Sequence, residues 1–166
     1  MAKRLFSIIA ILSTALFLGC KKDADPSGGN FIKMKIDNKD FSFSDSLFAT
    51  KQSSAPKLAI FGYSKAQGQL QCLVSDFSKG TYFDTYDTSI KKVIYQFTIN
   101  ATVDYYNNTP VIEMLLRPSP SVSNAITMTI TNVSDNYVEG TFSGILSNGS
   151  ITNSNITNGQ FRVPFK

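Results

Sequence analysis

The stretch VIYQFTINATVDY, residues 93–105, constrains the fold more than any other part of the chain. Val93, Tyr95, Phe97, Ile99, Ala101, Val103 and Tyr105 fall on one side, and Ile94, Gln96, Thr98, Asn100, Thr102 and Asp104 on the other. Side chains of an extended strand point alternately to opposite faces. Alternation of this length therefore predicts a strand with one packed and one wet face, as in an antiparallel sheet.

The same grammar recurs along the chain. FIKMKI and DFSFS flank Asp37-Asn38-Lys39, a hairpin turn by composition. SLFATK, KLAIFGYS and LQCLVSDF follow, then KGTYFDTYDTS, which reads as a glycine turn and a tyrosine-rich loop. After the long alternating strand come VIEMLLR, the loop PSPSVSN, AITMTITNV and YVEGTFSGIL, the last two joined by Ser134-Asp135-Asn136. SNGSITNSNITNG reads as a polar tract with short β-prone pieces, and QFRVPF as a closing strand with Pro164 at a terminal or edge position. Nowhere does an apolar 3.6-residue period persist for three turns. The reading is an all-β domain, an antiparallel β-sandwich of about nine or ten strands, with a lipocalin-like β-barrel as the alternative.

The first residues read differently. Lys3 and Arg4 precede an apolar run from Leu5 to Leu18, too short for a permanent span of about 20 residues and fitting a secretory signal. The run closes as Phe17-Leu18-Gly19-Cys20, which resembles a bacterial lipobox; the large Leu18 departs from its commonest form. The resemblance implies cleavage after Gly19 and a diacylglycerol on Cys20. The following CKKDADPSGGN has no apolar face to bury and reads as a solvated tether. Its Lys21, Lys22 and Asp23 are similar to the export signals of Bacteroidota lipoproteins, which implies an outer-membrane protein displayed at the cell surface; a periplasm-facing placement is the alternative. The expected division is a signal peptide over 1–19, a lipidated cysteine and tether over 20–30, and one β-domain over 31–166.

Removing residues 1–20 leaves about 146 residues, enough for one domain with a real core. The formal charge of +4 falls to +2 once Lys3 and Arg4 are gone, and the remaining lysines are scattered. That pattern speaks against a nucleic-acid partner, which needs a clustered basic stripe. The chain has no histidine, so Ser-His and Cys-His nucleophiles are excluded. Cys20 and Cys72 are its two cysteines; Cys72 alternates with Leu70 and Val74 and reads as a core residue. Glu113 paired with Asp104 would be the carboxylates of a glycosidase, but these and Glu139 sit amid strand alternation and read as solvent-facing charge. No enzyme activity, cofactor or metal is expected. Asp76, Asp84 and Asp87 lie in one stretch, yet their spacing fits turn caps better than a calcium loop.

The pair VEGTFSG and ITNGQFRVPF, with the upstream KGTY and IDNKDFSFS, resembles small uncharacterised Bacteroidota lipoprotein domains. The resemblance implies a compact β-fold on a lipid tether and carries no activity or binding residue. The Asn-x-Ser/Thr triplets at Asn100, Asn107, Asn132, Asn148 and Asn155 read as wet-face and turn chemistry in such a chain. Asp45-Ser46-Leu47 is similar to a short O-glycosylation motif of that group.

The candidate contact site is Tyr82, Phe83 and Tyr86, an aromatic platform if exposed together, with Tyr105 and Tyr106 at the end of the long strand. The functional expectation is a non-enzymatic binding module for glycan or another envelope protein. The alternative is a lipocalin-like carrier of a small apolar ligand, which requires a hollow interior of several hundred Å3, on the order of known ligand pockets. A third reading, edge-strand pairing with a partner, requires a long uncovered edge.

Overall fold

The computed structural model describes residues 29–85, 87, 89–103, 112–149 and 153–166, without the side chains of 102, 103 and 112–114. Within them lie eleven strands: β1 (Phe31–Ile36), β2 (Lys39–Phe43), β3 (Ser46–Lys51), β4 (Leu58–Ser64), β5 (Gly68–Val74), β6 (Gly80–Phe83), β7 (Ile94–Val103), β8 (Ile112–Pro118), β9 (Ile126–Val133), β10 (Tyr137–Ser147) and β11 (Asn153–Pro164). Among the described residues every regular element is a strand, and every strand-to-strand pairing is antiparallel. The protein is an all-β antiparallel sandwich whose seams nearly close it into a barrel.

One sheet runs β2-β1-β11-β10-β9-β6 and the other β3-β4-β5-β7-β8. At one seam β10 leaves β9 after Gly144 and pairs with β8 through Leu146↔Pro118 and Ser147↔Arg117. At the other, a parallel bridge joins Ala49 to Phe165, and Lys166 N donates to Ala49 O at 3.0 Å. Gln67 closes the free edge of β2: its Oε1 accepts from Ser42 N and its Nε2 donates to Asp40 O at 3.2 Å. Covered edges resist pairing with another chain.

Local chemistry accounts for the turns. Asp37 and Asn38 have φ of 48° and 66° between paired Ile36 and Lys39, the two-residue hairpin that DN composition favours. The GTF and NGQF motifs have a common cause. In the register of β10 with β11, Gly140 faces Phe161 and Phe142 faces Gly159, so each ring lies over the opposite glycine. A Cβ at Gly140 would meet the Phe161 ring at 2.7 Å, and one at Gly159 would meet Phe142 at 2.6 Å. Backbone carbonyls stand closer still, Thr129 O to a Cβ at Gly140 and Phe142 O to one at Gly159, so strand backbone and aromatic partner together leave no room for a side chain.

A contiguous cluster fills the space between the sheets, including Ile32, Phe43, Leu58, Ile60, Phe97, Ile99, Tyr82, Met128, Phe142, Leu146 and Phe161. Burying each large side chain contributes about 1.5–3 kcal/mol. Cys72 is a free, fully buried thiol with Sγ 4.0 Å from Met128 Sδ, and burial pushes its pKa up. This is the core cysteine expected from its alternation.

Three sequence expectations need correction. KGTY opens a strand rather than a glycine turn: Gly80–Phe83 pairs along Thr127–Ile130, which raises the count to eleven. The polar tract from Asn153 onward belongs to β11, where Ile156 is buried while Asn153, Asn155 and Thr157 face water. The alternation at 93–105 is broken near its start. Gln96 pairs with Leu73 but Ile94 pairs with Val74, so Tyr95 is an extra residue in a bulge. Ile94 therefore turns inward at 2% exposure, and Tyr95 turns outward at 55%.

Candidate functional site: the outer face of the five-stranded sheet

The cross-strand registers order the outward side chains of the five-stranded sheet into rows. One row reads Ser46, Tyr63, Gln69, Asn100 and Leu115; the next reads Phe48, Phe61, Gln71 and Thr98. Phe48 and Phe61 stack with centroids 4.7 Å apart. Gln96 Nε2 donates to Gln71 Oε1 at 3.2 Å, fixing two amides on adjacent strands. Tyr63 is 47% exposed, so with Tyr95 two tyrosines stand outward on this face. Strand geometry separates them by on the order of 20 Å.

Beyond this row a groove of about 760 Å3 runs beside β7. Its floor is Tyr95 to Thr98, one wall is Asp84 and Thr85, and the other is the segment from Arg117 to Asn124. That second wall is the PSPSVSN loop, and buried Ser119 fixes it. Ser119 N donates to Ile145 O at 3.0 Å, Ser119 Oγ donates to Asn153 Oδ1 at 3.0 Å, and Ser119 Oγ accepts from Ser121 Oγ at 2.9 Å. Burial pushes the Asp84 carboxyl above the usual aspartate range. Neither Asp84 nor Arg117 places its side chain in a hydrogen bond or ion pair with another described residue. Among the described residues the groove thus presents a carboxylate acceptor, a guanidinium donor and an aromatic plane, with the Gln96 amide held beside them by Gln71.

The site expected from the sequence is not assembled. Tyr82 is fully buried, so it is no part of an exposed platform. Its hydroxyl donates to Asp76 Oδ1 at 2.5 Å and lies 2.7 Å from Ser78 O, and Lys92 Nζ sits 4.7 Å from its ring centroid. Alternation along β6 forces this placement, because Thr81 and Phe83 occupy the outer face and Tyr82 the inner one. Phe83 is half-buried, bridged to Val93. Tyr86, Tyr105 and Tyr106 lie outside the described residues, as do Cys20, Lys21, Lys22, Asp23 and Asp104.

The three aspartates serve separate purposes. Asp76 accepts from Ser78 N at 2.6 Å and pairs with Lys92 at 3.8 Å. Partial burial opposes its ionisation, yet hydrogen bonds from Tyr82 and Ser78, with the Lys92 charge, hold its carboxyl below the usual range. Asp87 caps Ser89 N at 2.9 Å, and hydrogen bonds from Ser89 lower its pKa. Among the described residues no three carboxylates or thiols gather to hold a metal.

The residues missed were Tyr63, Tyr95, Gln71, Gln96 and Arg117. The alternation had marked Tyr95 as inward, and only knowledge of the partner strand reveals the bulge. Comparison with protein-family models finds no match, and neither does comparison with curated proteins or with solved structures.

Proposed function

We propose that this chain is a non-enzymatic binding module, anchored to the outer membrane by lipid on Cys20, displayed outward, and holding carbohydrate against the outer face of its five-stranded sheet. The observation that carries the reading is Tyr95, lifted out of its strand by a bulge beside a groove where Asp84 and Arg117 have no side-chain partner among the described residues. A pyranose ring has apolar C–H faces that stack on an aromatic plane and hydroxyls that need both donors and acceptors. Tyrosine supplies the first; glutamine, carboxylate and guanidinium supply the second. A protein partner of ordinary size would want a continuous apolar centre within about 800 Å2 per side. Here amide rows separate the exposed rings. The span between Tyr63 and Tyr95 suits an oligosaccharide better than a single sugar. The filled interior gives no support to the carrier alternative, and the capped β2 edge none to strand pairing.

Two experiments test the two halves of the reading. Electrophoresis through gels containing neutral and acidic polysaccharides should show retardation of the protein by at least one of them, lost in Tyr95→Ala. Retardation by none, or unchanged retardation of the variant, refutes the site. Protease shaving of intact cells should digest the wild type and spare a Lys21→Ala/Lys22→Ala/Asp23→Ala variant; protection of both refutes surface display.

A further inference from the structure

The aromatic rings of this protein are paired with cations unevenly. Five cation–ring pairs follow one another around the end of the sandwich where β1 starts and β11 finishes. Lys33 lies 5.2 Å from the Phe31 centroid and Arg162 4.1 Å from that of Tyr137. Lys51 sits 4.0 Å from Phe165 and 5.6 Å from Phe77, while Lys166 sits 4.0 Å from Phe48. Backbone pairing makes the set continuous: Phe31 pairs with Arg162, Tyr137 with Pro164, and Ala49 with Phe165. Lys57 joins it, because Gln52 N donates to Lys57 O at 2.8 Å beside Lys51. Among the described residues the carboxylates at this end are Glu139, 3.8 Å from Arg162, Asp135 in the adjoining turn, and Asp76, which precedes Phe77 and pairs with Lys92 at 3.8 Å. Cations therefore outnumber anions, and Phe77 stands 36% exposed among them.

We infer that this end of the sandwich docks on an anionic lipid surface. Rings that sit at the level of headgroups, ringed by long basic side chains that reach phosphates, are the chemistry of a membrane-water boundary. A protein partner fits less well, since the rings are half-buried and spaced by lysines rather than gathered into one apolar patch. The position of the end agrees. Ten residues lie between Cys20 and Phe31, a reach of at most about 40 Å, so a tether from a lipid on Cys20 would enter the domain at this end. The glycan face lies on a side of the sandwich, bordered at Phe48, and stays open when the end is down. This orientation rests on the lipid-anchor reading; the docking chemistry does not.

The test is lysine acylation footprinting of the full protein, as purified from membranes, on vesicles of phosphatidylcholine with and without ~30% phosphatidylglycerol. Intact mass reports separately whether Cys20 carries lipid. On anionic vesicles Lys51 and Lys166 should acylate at least fivefold more slowly than on neutral ones, while Lys65, in the β4–β5 turn, should not change. High salt, which shortens the screening length to about 3 Å at 1 M, should restore the rates. Equal rates for Lys51 and Lys166 on both vesicles overturn the docking. A mass without lipid overturns the anchor and leaves the footprint to decide docking by itself.

Discussion

Across the outer face of the six-stranded sheet one row of paired side chains reads Ser42, Lys33, Gln160, Thr141, Thr129 and Thr81. Across the five-stranded sheet the matching row reads Phe48, Phe61, Gln71 and Thr98, with Arg117 lining the groove beyond. Both rows sit on the water side of antiparallel strands. Away from the end where β1 starts, the first face satisfies its own groups: Thr81 and Thr129 hydroxyls lie 3.1 Å apart, and Lys35 pairs with Asp40 at 3.4 Å. The second leaves Tyr63, Tyr95 and Arg117 without side-chain partners among the described residues, and Asp84, reaching the groove from the end of β6, is likewise unpaired among them. Solvation alone accounts for the threonine face. It does not account for exposed rings beside unpaired charge, and that difference is the case for function.

Aromatics on the two sides of a sheet should respond differently to deletion, and this is the largest expected effect. Phe161→Ala removes a buried ring and uncovers Gly140, costing about 3–5 kcal/mol, whereas Phe61→Ala on the outer face should cost about 1 kcal/mol from its lost stack. Denaturant unfolding checks both, and equal costs would erase the distinction between packed and presented rings. Filling the glycine under a ring is next: Gly159→Ala should cost about 1–3 kcal/mol by overpacking while leaving carbohydrate binding by the folded fraction intact.

Acid sharpens the comparison further. Asp76 has a folded pKa below its ordinary 3.8, so its contribution to stability is full above that value and is lost as pH falls through the folded pKa. Melting curves of wild type and Asp76→Asn should therefore converge at low pH and separate near neutrality. Asp84 runs the other way, with its carboxyl already above the usual range. If its carboxylate accepts from sugar hydroxyls, affinity should weaken as pH falls through that raised value. Asp84→Asn should flatten this limb, and an unchanged acid limb in the variant would remove Asp84 from the site.

Much of the architecture was legible because period-2 alternation and turn residues act locally. Asp37-Asn38 announced a hairpin, and Ser134-Asp135-Asn136 the β9–β10 turn, whose Ser134 N donates to Tyr137 O at 2.9 Å. What was hidden depends on partners. The bulge at Tyr95 arises from the fit of β7 to β5, and nothing in residues 93–105 distinguishes it from unbroken alternation. The four residues of β6 are too few to display a period, so Tyr82 read as a loop residue although it is core. The first half of β11 lacks apolar alternation because Ile156 and Gly159 are its inward positions, and a register shift against β10 falls between them. The proposed binding face was illegible for the same reason. Its rows draw single residues from β3, β4, β5 and β7, far apart along the chain and adjacent only across the sheet.

The most direct test sets the two faces against each other in one gel. Wild type, Tyr95→Ala and Thr141→Ala would migrate through whichever polysaccharide retards the wild type, after melting curves show all three folded. Tyr95→Ala should lose about 2 kcal/mol of affinity, near thirtyfold in Kd, with Thr141→Ala indistinguishable from wild type. Loss in Thr141→Ala with retention in Tyr95→Ala would place binding on the threonine face and contradict the account.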